Sequence, residues 1–225
     1  MKRHIGETLP DTHCNFKDSY IVGIDPGLTG GIAILSMSGR LEDIRPMPTN
    51  KPLVIKQTNT HKGNYKGHSG SLLGHTQTRV WPYDIFRYLK RYGTAIECVV
   101  IEDVHSMPGQ GVASTFNFGR SYGAVEGVVD CLSCHNKRVS PVVWKAAMNL
   151  SSNKKQSLEL ASKLWPDYKD THFHLVKWDG LAEAALIAEF WRRSLDASKI
   201  EKCMNEVKID GFGIKHDPKG FLDLL

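Results

Sequence analysis

Apolar residues run from Tyr20 to Ile24 with only Gly23 among them, and the run stops at Asp25, where Pro26 and several glycines follow. The stretch YIVGID has the pattern of a buried strand, GIAILSM that of its hairpin partner across the glycine-rich turn, and LEDIRPM that of a third short strand with mixed faces. Three strands in succession predict an antiparallel meander. WPYDIFRYLKRYG places proline at a helix start, Ile85, Leu89 and Tyr92 on one face, and glycine at the stop, so a short amphipathic helix is expected. AIECVVIED returns to strand character and again ends on carboxylates, Glu102 and Asp103.

The region MPGQGVASTFNFGRSYGAVEGVVDCLSC starts as a loop and becomes a helix in which Gly119, Gly123 and Gly127 recur every fourth position, on one face open to close approach. RVSPVVWKAAMNL predicts a short strand and a helical turn. SSNKKQSLELASKLWP predicts a helix capped by serines and stopped at Pro166, and WDGLAEAALIAEFWRRSL a strong final helix. The expected organisation is a polar tail over residues 1–18, an α/β domain over 19–193 with a basic insertion at about 48–80, and a charged tail over 194–225. No internal repeat is visible.

Composition changes this picture little. A net charge of +5 is compatible with an acidic partner such as nucleic acid, without requiring one. Its distribution says more: from Ile44 to Tyr83 there is no Asp or Glu, while Arg45, Lys51, Lys56, Lys62, Lys66 and Arg79 are spread among Gly, Asn, Thr and His. No apolar run approaches a membrane span and no leader-like segment follows the first residues, so a cytoplasmic protein is expected. Five cysteines, an odd number, suit a reducing compartment. Cys131 and Cys134 form one CxxC beside His135, which His13, Cys14, His172 and His174 could complete as a zinc site; small buried residues near a helix end are the simpler expectation.

The chemistry lies in the acids. Two apolar strands end on Asp25 and Glu102, and Asp179 and Glu183 are spaced i, i+4 on the first turn of the last helix, where both side chains point the same way. Four converging carboxylates repel one another unless protons or cations neutralise them, which makes them candidate ligands for hard divalent cations. Taken singly, Asp25 also fits a turn residue, Asp179 a helix N-cap and Glu183 a surface position. An apolar strand has no structural need of Glu102; Asp103 beside it fits a solvated neighbour.

The motifs GIDPGLTGGIAI, VVIEDV, FNFGRSYGAVEGVV, VSPVVWKAAMNL, NKKQSLELASKLWP and WDGLAEAALIA, in that order over residues 20–191, closely resemble the RuvC-like Holliday junction resolvases of the RNase H-like (retroviral integrase) superfamily, including bacteriophage and plant chloroplast members. The resemblance implies an RNase H-like mixed sheet flanked by helices, and a homodimer that resolves four-way DNA junctions by paired symmetric nicks. It implies Asp25, Glu102, Asp179 and Glu183 as catalytic metal ligands for two Mg²⁺ ions, with Mn²⁺ substituting, and ends that carry 5′-phosphate and 3′-hydroxyl groups. The last acidic pair is usually i, i+3 in bacterial members and is i, i+4 here. The family's junction-wedging aromatic has no clear counterpart: His105 fills its place, with Phe116 and Phe118 as alternatives. A phage-encoded protein would act in the host cytoplasm.

Lys145, Lys154 and Lys155 match family positions that contact phosphate, and Arg120 lies among the candidate DNA-binding residues. Lys154 and Lys155 open a helix, where the dipole disfavours cations unless an anion sits there too. The glycine-spaced helix at 112–135 is the expected dimer interface, since a two-fold junction calls for two sites. Two rivals stay open: a non-catalytic branched-DNA binder of the same fold, and an actin-like or sugar-kinase phosphate-binding protein, which would need a second GIDxG half that this chain does not contain. The five tryptophans are expected as core or interface anchors.

Overall fold

The computed structural model describes residues 19–50, 78–106 and 109–209. Strand β1 (Tyr20–Asp25) is buried on both faces: Ile21 enters one hydrophobic core, Val22 and Ile24 the other. β2 (Gly31–Ser36) and β3 (Leu41–Pro46) complete the antiparallel meander that the pattern predicts. β4 (Thr49–Asn50) and β5 (Arg79–Val80) pair as a two-stranded ladder, so the expected basic insertion leaves and returns at one place. Residues 51–77 within it lie outside the described residues, as does the expected tail 1–18.

Helix α1 (Pro82–Lys90) leads to β6 (Ile96–Glu102), which pairs parallel with β1. Helix α2 (Val112–Asp130) then crosses to β7 (His135–Val139), parallel to β6. The five-stranded sheet has the order β3-β2-β1-β6-β7, the mixed α/β arrangement of an RNase H-like fold. Ile85 and Leu89 of α1 and Val125 and Val129 of α2 fill one side of the sheet. The other side is covered by α3 (Pro141–Ala147), α4 (Lys154–Leu164) and α6 (Asp179–Ile209), with the single turn α5 (Lys169–His172) packed against α4.

α6 is the backbone of that second layer, buried without interruption from Leu181 to Glu189. Its alanines let it lie against β1, and Gly23 makes the contact possible: a Cβ there would stand 2.0 Å from the Ala184 carbonyl oxygen. The helix runs on to Ile209, well into the span expected as a charged tail from residue 194. Arg192, Arg193, Leu195 and Ala197 are good helix formers, and Arg192 pairs with Asp196 one turn on. Among the described residues no helix is long and apolar enough to cross a membrane.

Two smaller expectations change. The cap of α4 is Asn153, whose side chain accepts the Lys155 N–H at 3.1 Å; Ser151 is engaged by Gln156 instead. Of the CxxC, Cys131 is exposed at the end of α2 and Cys134 half-buried, so burial does not account for both; His13 and Cys14 lie outside the described residues.

Candidate active site

Alternation along two parallel strands brings the first two acids together. Ile21 and Gly23 face α6, so Asp25 does as well; Cys98 and Val100 face the same layer, so Glu102 follows. Ile24 pairs with Ile101, and each acid is the next residue along its strand. The opening turn of α6 is pressed against the loop after β1: a Cβ on Gly180 would lie 2.4 Å from the Thr29 carbonyl oxygen, 2.5 Å from Gly30 Cα and 2.8 Å from Asp25 Oδ2. Only glycine fits there, which explains the residue that directly follows Asp179. Asp179 and Glu183 are thereby carried to the same end of the sheet, and both are buried.

Each carboxylate has a defined partner. Asp25 Oδ1 accepts the Gly27 N–H at 3.0 Å, the turn role considered for it, without losing its place in the cluster. Glu102 Oε1 accepts the Trp144 indole N–H at 2.9 Å. Glu183 Oε1 accepts from Lys145 Nζ at 2.7 Å and from the Ser157 hydroxyl at 3.2 Å. Asp179 is the first residue of α6, with helical backbone angles, and its Oδ2 lies 2.5 Å from Lys154 Nζ. The anion that the lysines at the start of α4 call for is therefore supplied, for Lys154, by the chain's own Asp179.

The electrostatics record the crowding. Burial pushes the Asp25 carboxyl up to about 7; the Gly27 N–H opposes the rise, and the charges of Glu102, Glu183 and Asp179 add to it. Burial raises the Glu102 carboxyl as well, against the Trp144 N–H and the Lys145 ammonium and with help from Glu183. Lys154 is raised, first by its hydrogen bond to Asp179. Near neutrality, without a cation, Asp25 thus holds a proton much of the time.

An all-oxygen donor set whose negative charges raise the proton affinity of Asp25 and Glu102 fits a hard divalent cation, Mg²⁺ or Mn²⁺. Among the described residues, no three His, Cys, Asp or Glu side chains stand close enough to share one ion in this conformation, and two of the four carboxylates are engaged by lysine. Among the described residues no such group forms around the CxxC either.

The other expected residues are more scattered. Lys155 is exposed on α4. His105 is 77% exposed just past β6, with Nε2 3.6 Å from Asp103 Oδ2. Phe116 is exposed on α2 with the Arg120 guanidinium 5.6 Å from its ring centre, whereas Phe118 stacks on Tyr122. Gly119, Gly123 and Gly127 form an open stripe: a Cβ on any of them would meet nothing within 4 Å.

Trp144 and Ser157 are the site residues the sequence reading missed as such. Trp144 was expected as a core anchor, which it is, but it also holds an acid. Its place next to Lys145, and that of Ser157 one turn after Lys154, were the available signals.

Fold and site together define an α/β protein with an RNase H-like sheet and a lysine-flanked acidic cluster at one end of its central strands. No protein-family model and no curated relative matches the chain. Solved structures similar to it include T. thermophilus RuvC in complex with Holliday junction substrate, at 15% identity and a TM-score of 0.46 over 78% of this chain and 96% of that one, and a second T. thermophilus RuvC structure, at 15% identity and a TM-score of 0.45 over the same shares.

Proposed function

We propose that the protein is a divalent-cation-dependent endonuclease that resolves four-way DNA junctions by paired nicks. The observation that carries this reading is the gathering of Asp25, Glu102, Asp179 and Glu183 at one sheet end, with Lys145 and Lys154 among them. Asp25 and Glu102, at the ends of β1 and β6, with Asp179 and Glu183 on α6, would hold Mg²⁺ or Mn²⁺. A bound divalent cation supplies Lewis-acid polarisation of the scissile phosphodiester.

The chain's own groups do the rest. Trp144 holds Glu102 and Ser157 holds Glu183 in a set orientation through their hydrogen bonds. The ammonium groups of Lys145 and Lys154 are placed to neutralise phosphate at the cluster. His105 and Phe116 are the exposed candidates for parting the junction; Phe118 is engaged with Tyr122. The open glycine stripe of α2 supports a homodimer about that helix, which would present two sites to a two-fold substrate.

The test is incubation of a labelled synthetic four-way junction with the protein in Mg²⁺ or EDTA, beside a linear duplex of the same arms, on a denaturing gel. Symmetric nicks that need the metal and spare the duplex are expected. A junction that is shifted but uncut would leave a binding protein of the same fold.

A further inference from the structure

On the nuclease reading above, we propose that Lys145 and Lys154 are resident counter-cations of the acidic cluster, displaced by an incoming divalent cation and thereby released to DNA phosphate, so that metal and DNA binding strengthen one another. Both lysines reach α6 acids from other helices, Lys145 from α3 to Glu183 at 2.7 Å and Lys154 from α4 to Asp179 at 2.5 Å. The two acids are only 11% exposed at their side chains, so an unpaired charge on either is costly and some cation must accompany it. Lys154 is 63% exposed and Lys145 21%, which leaves the lysines, not the acids, as the movable partners.

A carboxylate oxygen that donates its electron density to a metal ion holds an ammonium group less well. Metal entry therefore weakens both ion pairs, and each freed lysine lacks an anion. Lys154 in particular is left in the first turn of α4, where the helix dipole disfavours it until another anion arrives. DNA phosphate is that anion. Binding of phosphate to the same lysines weakens the pairs from the other side, so each ligand lowers the cost of the next, by the same factor in both directions.

The test is calorimetric titration of the full chain with Ca²⁺, in the absence of DNA, for the wild type and for Lys145→Met, Lys154→Met and Lys163→Met. Lys163 is an exposed residue at the far end of α4 and serves as the charge control. Removal of either paired lysine should tighten Ca²⁺ about tenfold, within the range of ordinary coupling, while Lys163→Met stays within about twofold. Wild-type affinity in both paired-lysine variants, or equal tightening in Lys163→Met, would overturn the exchange while leaving the nuclease reading in place. Failure of all four proteins to bind Ca²⁺ would overturn both. Lys154 is exposed enough for its variant to fold should Lys145→Met not. In a second arm, Ca²⁺ should tighten four-way junction binding more in the wild type than in the Lys145→Met/Lys154→Met protein; equal enhancement would refute the exchange.

Discussion

Trp144 donates its indole N–H to Glu102 at 2.9 Å, and the next residue, Lys145, reaches Glu183 at 2.7 Å. One short helix, α3, thus grips an acid of the sheet and an acid of α6 with consecutive side chains. Trp144 is fully buried, so its ring fixes α3 in the core while its N–H fixes the carboxylate.

Trp144→Phe removes that N–H while keeping much of the ring. A hydrogen bond to a charged group contributes about 1.5–3 kcal/mol, and loss of a group that orients a metal ligand typically weakens metal binding about 10–100-fold. A lower melting temperature and weaker Ca²⁺ binding are expected from thermal melts and calorimetry. Unchanged values in both would show that the bond orients nothing.

Asp25→Asn and Glu102→Gln should each reduce junction cleavage to the level seen in EDTA while junction binding stays within a few-fold of wild type. Affinity for DNA comes mostly from lysine and arginine contacts to phosphate, which neither change touches. Gel-shift and cleavage assays on the same junction separate the two effects; cleavage persisting in either variant would remove that residue from the metal site.

The raised Asp25 carboxyl fixes the sign of a pH effect. Between its ordinary value of 3.8 and about 7 the folded protein holds a proton that the unfolded chain has released, so Asp25 makes the metal-free protein lose stability as pH rises through that window. Glu102 acts in the same direction. In EDTA, the fall in melting temperature between pH 4.5 and pH 7.5 should be larger for wild type than for Asp25→Asn, by a few degrees. Equal falls would mean that Asp25 is not proton-loaded in the fold.

The stripe on α2 gives opposite expectations for monomer and dimer. Nothing lies near Gly123, so Gly123→Ala should raise the stability of an isolated chain by roughly 0.5–1 kcal/mol through helix propensity alone. If the stripe packs against a second copy, Gly123→Glu should convert dimer to monomer without loss of the fold, as read by sedimentation and circular dichroism. A dimer that survives Gly123→Glu would place the interface elsewhere.

The fold was legible where hydrophobic periodicity was strong, in the three-strand meander, β6 and the start of α6. The end of α6 was not, because charged residues such as Arg192 and Asp196 read equally well as a solvated tail; pairing between them becomes apparent only once a helix is given. The four acids could be picked out singly by their positions at strand and helix ends. Their partners could not, since Trp144 and Glu102 are 42 residues apart and nothing in a linear sequence brings them together. Asn153 displaced the serines as cap because Ser151 was drawn to Gln156.

Glu102 and Asp103 are neighbours on the chain and face opposite layers of the protein. Glu102 belongs to the α6 side, whereas the Tyr122 hydroxyl of α2 comes within 3.5 Å of Asp103. A slip of β6 by one residue against β1 would exchange them, presenting a carboxylate one methylene shorter to the cluster. The two hydrophobic cores, by claiming Val99, Val100 and Ile101 in alternation, keep the strand in frame. Reading frame, a term for genes, thus applies to this ladder too: the cores set the phase, and the phase selects which of two adjacent acids faces the acidic cluster.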